Sequence, residues 1–181
     1  MHILVLQHAV VEHPGIFRSF LVRDGHSYDA VELDEGAVLP ALDAYDALWV
    51  MGGPMDVWQE AAHPWLKLEK ALIQEAVQTR KMPFLGLCLG HQLLAEALGG
   101  RVGKSNVPEV GVMEVSLTAE GATANIFSDL PQQFQCLQWH SAEVTAMPTG
   151  AVCLAASAAC DVQAMQWLSL IHISEPTRRS A

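Results

Sequence analysis

Cys88 stands between two glycines in the stretch MPFLGLCLGHQ, after an apolar run and before a helical pattern. The sequence GLCLG has the form of a nucleophile elbow, in which a strand turns sharply into a helix and exposes a reactive side chain. Gly86 and Gly90 lack a Cβ and leave room for this turn. The helix N-terminus would favour the thiolate, and the backbone amide of Leu89 would stabilise an oxyanion. The alternative is a cysteine that only fills space in a buried strand.

A second glycine turn, Gly52-Gly53-Pro54, follows an apolar run upstream of the elbow. If both runs are neighbouring parallel strands, the turn lies beside Cys88, at the carboxyl edge where open α/β sheets place their sites. Gly53 could then offer a second oxyanion donor. Since Gly-Gly-Pro is more often an ordinary turn, only its pairing with the elbow favours chemistry.

Apolar runs alternate with helical patterns over the first 100 residues. This alternation predicts an α/β fold with three layers, in which a mostly parallel sheet carries helices on both faces. After residue 100 the segments VGVMEVSLT, FQCLQWHSAEV and AVCLAASAA predict further strands. The apolar stripe predicted for the central helix consists of Trp65, Leu66, Leu68, Leu72, Ile73 and Val77. The predicted strands are 2–8, 27–34, 46–51 and 82–89, and the predicted helices are 14–25, 63–80 and 91–98.

Composition excludes several classes of protein. The chain of 181 residues is 51% apolar and 17% charged, which favours a sheet covered on both faces. A net charge of -10 argues against a nucleic-acid surface. No long apolar window predicts a membrane span, and no signal peptide is recognisable. The cysteines lack a CxxC spacing, so we expect a reducing, cytoplasmic setting without disulfides.

Five motifs occur in one order between residues 3 and 167: GGPMDVWQE, PWLKLEKALIQEAV, PFLGLCLGHQLLAEALGGRV, PEVGVMEV and QWHSAEV. Together they closely resemble the class I glutamine amidotransferases, and most of all the stand-alone group similar to the amidotransferase domain of GMP synthase. The resemblance implies a flavodoxin-like fold. It also implies that a cysteine attacks the side-chain amide of glutamine, that ammonia leaves, and that water releases glutamate from a γ-glutamyl thioester.

The resemblance assigns roles to residues of this chain. Cys88 would be the nucleophile, and the backbone amides of Gly53 and Leu89 would form the oxyanion hole. Gln92, on the first turn of the following helix, would hold the substrate glutamine. The other residues implied for substrate binding are Gly52, His140 and Ser141. Of these, His140 is not the family's base, and a structural role for it stays equally open.

The resemblance also implies a histidine and a glutamate two residues apart on a C-terminal strand, and this motif is absent. His172 and Glu175 are three apart, a spacing that places them on opposite faces of a strand. The segment LSLIHISEPTRRSA resembles the translation of a sequencing-library adapter. We therefore expect residues 1–167 to form an amidotransferase-like domain that is incomplete at its C-terminus, residues 168–181 to be a non-native tail, and the chain to have little or no glutaminase activity.

Two other functions remain open. One is a non-catalytic module that binds glutamine, and the other is a cysteine hydrolase acting on γ-glutamyl peptides. No synthetase domain is present, so an ammonia acceptor would sit on a separate synthetase subunit. The sequence shows no metal-ligand cluster and no Gly-rich phosphate loop, and we expect no metal and no cofactor.

Overall fold

The computed structural model describes residues 1–167, so the predicted tail and the pair His172 and Glu175 lie outside the described residues. No helix in the described part is long and apolar enough to cross a membrane. The strands are β1 (His2–Gln7), β2 (Ser27–Glu32), β3 (Ala47–Val50), β4 (Phe84–Gly86), β5 (Arg101–Leu117), β6 (Gln133–Ala146), β7 (Ala151–Ser157) and β8 (Ala164–Trp167). The helices are α1 (Phe17–Arg23), α2 (Trp65–Gln74) and α3 (Leu89–Ala97).

The first four strands form one parallel sheet in the order β2-β1-β3-β4. Strand β1 pairs in parallel with both β2 and β3, and β3 pairs in parallel with β4. This order matches the first four strands of a flavodoxin-like, doubly wound sheet, in which ligands bind outside the carboxyl ends of the strands. The predicted parallel α/β sheet is confirmed for this half of the chain.

Alternate residues of β1 face opposite sides of this sheet, as the period of a strand requires. Ile3 and Val5 share an apolar cluster with Leu21 of α1. Leu4 and Leu6 belong to a larger cluster that also holds buried residues of α2 and α3. The parallel sheet is therefore covered by α1 on one face and by α2 and α3 on the other.

The prediction of a mostly parallel sheet is wrong for the second half of the chain. Strands β5 to β8 form a separate antiparallel sheet in the order β6-β5-β7-β8. Parallel neighbours need a crossover of a dozen or more residues, whereas only residues 158–163 separate β7 from its neighbour β8. Val144 of β6 and Met165 of β8 join the large cluster around α3, so α3 connects the two sheets.

The helical turns over 65–79 follow the predicted apolar stripe except at Leu68. After Gln74, the α-helical hydrogen bonding gives way to a π-helical turn, Glu75–Thr79. Leu66 and Ile73 are buried as predicted, but Leu68 is exposed and Glu69 takes the buried position between them. The spacing 66, 69, 73 follows the helical repeat, so the buried face carries a carboxylate at its centre.

Leu66→Ala is expected to lower the free energy of unfolding by about 2–5 kcal/mol, because a fully buried leucine leaves a cavity when truncated. Leu68→Ala on the same helix is the matched control. Its side chain is 65% exposed, and the expected change is within about 0.5 kcal/mol. Chemical denaturation of both variants measures the difference, and equal losses would contradict the orientation of α2.

Candidate active site

Cys88 occupies the sharp turn between β4 and α3. Its backbone has φ 52° and ψ -104°, a left-handed conformation that a side chain with a Cβ rarely adopts. It is the N-cap residue of α3, and the amide of Leu89 acts on its sulfur. The strained strand-to-helix turn predicted from GLCLG is therefore present in the structure, with Cys88 at its tip.

The two flanking glycines permit a close crossing of backbones. A Cβ on Gly90 would lie 2.1 Å from the carbonyl oxygen of Val50, at the end of β3. A Cβ on Gly86 would lie 2.6 Å from the carbonyl group of Gly90. No side chain fits at either position without moving backbone atoms, so both glycines are required by the turn itself.

The Gly52-Gly53 turn lies beside the elbow. A Cβ on Gly52 would be 3.7 Å from the Cβ of Cys88, and one on Gly53 would be 2.8 Å from Cδ2 of Leu89. The same Cβ on Gly52 would lie 2.6 Å from a carboxylate oxygen of Glu12. The turn at the end of β3 therefore lies next to Cys88. This position was predicted on the assumption that β3 and β4 are parallel neighbours, and they are.

A cavity of about 680 Å³ opens in front of the sulfur. It runs between α3 and the antiparallel sheet, so both halves of the chain contribute to its walls. The residues of the predicted site that line it are Gly53, Cys88, Gln92 and His140. The polar residues that line it without having been predicted include Glu12, His91, Glu143 and Gln163.

Two of the residues predicted to bind substrate behave differently from expectation. Gln92 lines the cavity, but its Nε2 donates a hydrogen bond to the carbonyl oxygen of Ala142 at 3.1 Å, which ties α3 to β6. Ser141 is exposed and does not line the cavity, which is a correction. Its neighbours His140 and Ala142 do line it.

A buried carboxylate that the sequence analysis did not single out lies next to His140. Nε2 of His140 lies 3.0 Å from Oε2 of the buried Glu109, although the two groups are poorly aligned for a hydrogen bond. Ser157 donates to Oε1 of Glu109 at 2.7 Å, and the amide of Gln163 donates to Oε2. Glu109 therefore joins β5, β6 and β7 at the back of the cavity.

Glu109, His140 and Cys160 are a cluster of potential metal ligands in residues 1–167, with ligand atoms within 4.8 Å of one another. Both oxygens of Glu109 already accept hydrogen bonds from protein donors. Burial raises the pKa of the Cys160 thiol to about 11, whereas metals bind the thiolate.

The electrostatics of Cys88 differ from the expectation that the helix would favour the thiolate. Burial raises the pKa of this thiol, the amide of Leu89 lowers it by less, and the charge of Glu12 raises it further. No histidine of residues 1–167 is among the groups that act on it. At neutral pH the sulfur is consequently a thiol, in a geometry suited to a nucleophile.

His91, on the first turn of α3, is a second imidazole on the cavity wall. Burial, with a smaller contribution from His140, lowers its pKa to about 4, so it is neutral at neutral pH. Its Nε2 is buried and has no hydrogen-bond partner among the described residues. His91 therefore supplies no positive charge that would stabilise a thiolate at Cys88.

His8 and Glu69 form a buried pair next to the glycine turn, and the sequence analysis missed it. Nε2 of His8 lies 2.8 Å from Oε1 of Glu69, and both side chains are 0% exposed. The signals were present in the sequence. His8 directly follows β1, and Glu69 holds the helical spacing of the buried stripe of α2.

Glu12→Gln is expected to shift the alkylation of Cys88 by iodoacetamide to lower pH. The reason is that the carboxylate raises the pKa of the thiol and the amide does not. Mass spectrometry of the modified peptide across a pH series measures the midpoint. Glu35→Gln, at an exposed carboxylate that does not act on Cys88, serves as the control. A midpoint that both variants leave unchanged would remove Glu12 from the site.

The comparison with known proteins agrees with the geometry of the site. The family model described as glutamine amidotransferase class-I matches residues 17–173. One subunit of the glutamine-hydrolyzing GMP synthase of Sulfolobus acidocaldarius is 32% identical over 160 residues, which is 87% of this chain and 80% of that protein. The corresponding GMP synthase subunit of Sulfurisphaera tokodaii is 33% identical over 87% of this chain and 80% of its own length.

Two solved structures share the fold. A glutamine amidotransferase from Thermotoga maritima has a TM-score of 0.84 and 27% identity, covering 92% of this chain and 71% of that one. A glutamine amidotransferase from Methylobacillus flagellatus has a TM-score of 0.83 and 30% identity, covering 91% of this chain and 65% of that one. The chain is therefore a member of the class I glutamine amidotransferase family.

Proposed function

We propose that this domain binds glutamine and that Cys88 is the nucleophile of the glutaminase half-reaction. The observation that supports the proposal is the left-handed elbow at Cys88, which places this residue on a cavity that Gly53 also lines, with the backbone amide of Leu89 beside the sulfur. The thiolate would attack the carbonyl carbon of the side-chain amide. The C–N bond then breaks, ammonia leaves with a proton, and water hydrolyses the γ-glutamyl thioester to glutamate.

The oxyanion that forms during this attack would be held by the amides of Gly53 and Leu89. Gly53 lines the cavity, and the amide of Leu89 faces the sulfur at the start of α3. A donor aimed at the position where charge develops acts most strongly in the transition state. Gln92 and His140 line the same cavity. Gln92 would hold the substrate glutamine, and His140 would lie near its α-amino and α-carboxyl groups.

The charged groups around Cys88 support low activity of this chain on its own. A cysteine hydrolase needs a base that removes the proton of the thiol. Within residues 1–167 the only charged side chain acting on Cys88 is Glu12, which favours the thiol. We therefore propose that the purified chain releases ammonia slowly or not at all.

The relatives suggest where the ammonia goes. Two of them are named as one subunit of a glutamine-hydrolyzing GMP synthase, a name that implies at least one further polypeptide. We propose that the acceptor of ammonia is bound by a separate synthetase chain that docks on this domain.

A second candidate is a module that binds glutamine without turnover. The raised pKa of Cys88 favours it, because a thiol is a poor nucleophile. Such a module would be stabilised by glutamine in a thermal-shift measurement but would form no adduct at Cys88. The two candidates therefore differ in covalent chemistry and not in binding.

The decisive reagent is the chloromethyl ketone analogue of glutamine, in which CH2Cl replaces the amide nitrogen. We expect it to alkylate Cys88, with loss of chloride, and Cys88→Ser to abolish this labelling. Cys153→Ser, at a cysteine outside the cavity, is the control and should label normally. Labelling that persists in Cys88→Ser contradicts the assignment of the nucleophile. Rapid ammonia release by the unmodified chain contradicts the low activity proposed for it.

A further inference from the structure

A buried imidazole lies directly against the glycine turn that carries Gly53. His8 is the first residue after β1, and Gly52 is the second residue after β3, its parallel neighbour. Nδ1 of His8 lies 2.8 Å from the carbonyl oxygen of Gly52. The contact joins the carboxyl ends of two adjacent strands at the edge where the cavity opens.

The carbonyl of Gly52 and the N–H of Gly53 belong to one peptide unit. In a planar trans peptide these two groups point in opposite directions. A donor that holds the carbonyl oxygen of Gly52 therefore fixes the direction of the N–H of Gly53. The same hydrogen bond polarises the peptide and makes that N–H a stronger donor.

The position of His8 is in turn fixed from two sides. Its ring stacks on Trp65, with 5.4 Å between ring centroids and an interplanar angle of 17°. Nε2 lies 2.8 Å from Oε1 of Glu69, on the buried face of α2. A Cβ on Gly53 would lie only 2.8 Å from the Cβ of His8, so the turn rests directly on this side chain.

We propose that His8 and Glu69 are positioning residues, which hold the peptide between Gly52 and Gly53 so that the N–H of Gly53 faces the carbonyl oxygen of the substrate attacked by Cys88. This inference rests on the function proposed above. His8 touches neither the substrate nor the sulfur, and it acts through the turn. The pair explains why a histidine and a glutamate are buried together in an otherwise apolar layer of the core.

The geometry also specifies the protonation of the pair. A carbonyl oxygen and a carboxylate both accept hydrogen bonds, so His8 satisfies both when Nδ1 and Nε2 each carry a proton. Burial lowers the pKa of His8, but the hydrogen bond and charge of Glu69, with smaller contributions from Gly52 and Asp34, outweigh it and raise the pKa above 6.5. Glu69 on α2 and Asp34 after β2 are the charged groups that act on His8 within residues 1–167.

Two variants separate the hydrogen bond to the turn from the contact with α2. An asparagine amide nitrogen is as far along the side chain as Nδ1 of histidine, and a glutamine amide nitrogen is as far as Nε2. His8→Asn can therefore donate to Gly52, whereas His8→Gln can donate only to position 69. Both variants carry Glu69→Gln, so that neither leaves an unpaired buried carboxylate.

The measurement is a ratio of two labelling rates at Cys88. The chloromethyl ketone of glutamine has a carbonyl oxygen that uses the oxyanion hole, whereas iodoacetamide reacts by direct displacement of iodide and does not. The ratio of the two rates cancels changes in the thiolate fraction. We expect the ratio in the variant with His8→Gln to be about tenfold lower than in the variant with His8→Asn, a smaller loss than the deletion of an oxyanion-hole donor causes.

Each outcome decides one question. Equal ratios in the two variants, with the unmodified protein labelled by the ketone, overturn the positioning role and leave the proposed function standing. Failure of the ketone to label Cys88 in the unmodified protein overturns the proposed function, and the positioning role with it. Thermal unfolding of both variants checks that they are folded.

Discussion

The close crossing of α3 and β3 is the constraint on which the site depends. The N–H of Leu87 donates to the carbonyl oxygen of Val50 at 2.9 Å, and the N–H of Gly90 donates to that of Met51 at 3.2 Å. These two hydrogen bonds hold the start of α3 against the end of β3. Cys88 is left with a positive φ because the chain must reverse between them within two residues.

This part of the molecule could be predicted from the sequence because its determinants are local. Glycines two residues either side of Cys88 and a helical pattern after it define the elbow without reference to distant residues. The positions of the parallel strands followed from the same kind of pattern. The family was also predictable from the sequence, and the comparison with relatives confirmed it. The roles of Gln92 and His140 stay predictions.

What the sequence did not predict depends on contacts between distant segments. The antiparallel pairing of β5 to β8 was missed because apolar strands look alike in either kind of sheet, and only the connection between β7 and β8 is too short for a parallel crossover. Ser141 was expected near the substrate but lies outside the cavity, and the packing of β6 against α3 involves residues such as Gln92 and Ala142, which are 50 residues apart. Leu68 and Glu69 exchanged their expected positions because apolar type alone does not define the buried face of α2.

The pair of His8 and Glu69 also has a thermodynamic consequence. Because the pKa of His8 is raised in the folded protein, folding is coupled to the uptake of a proton between its unfolded value of 6.5 and its higher folded value. In that interval the pair stabilises the protein less as the pH rises. Part of the heat of folding must therefore come from the buffer that supplies the proton, and it will change with the ionisation enthalpy of that buffer.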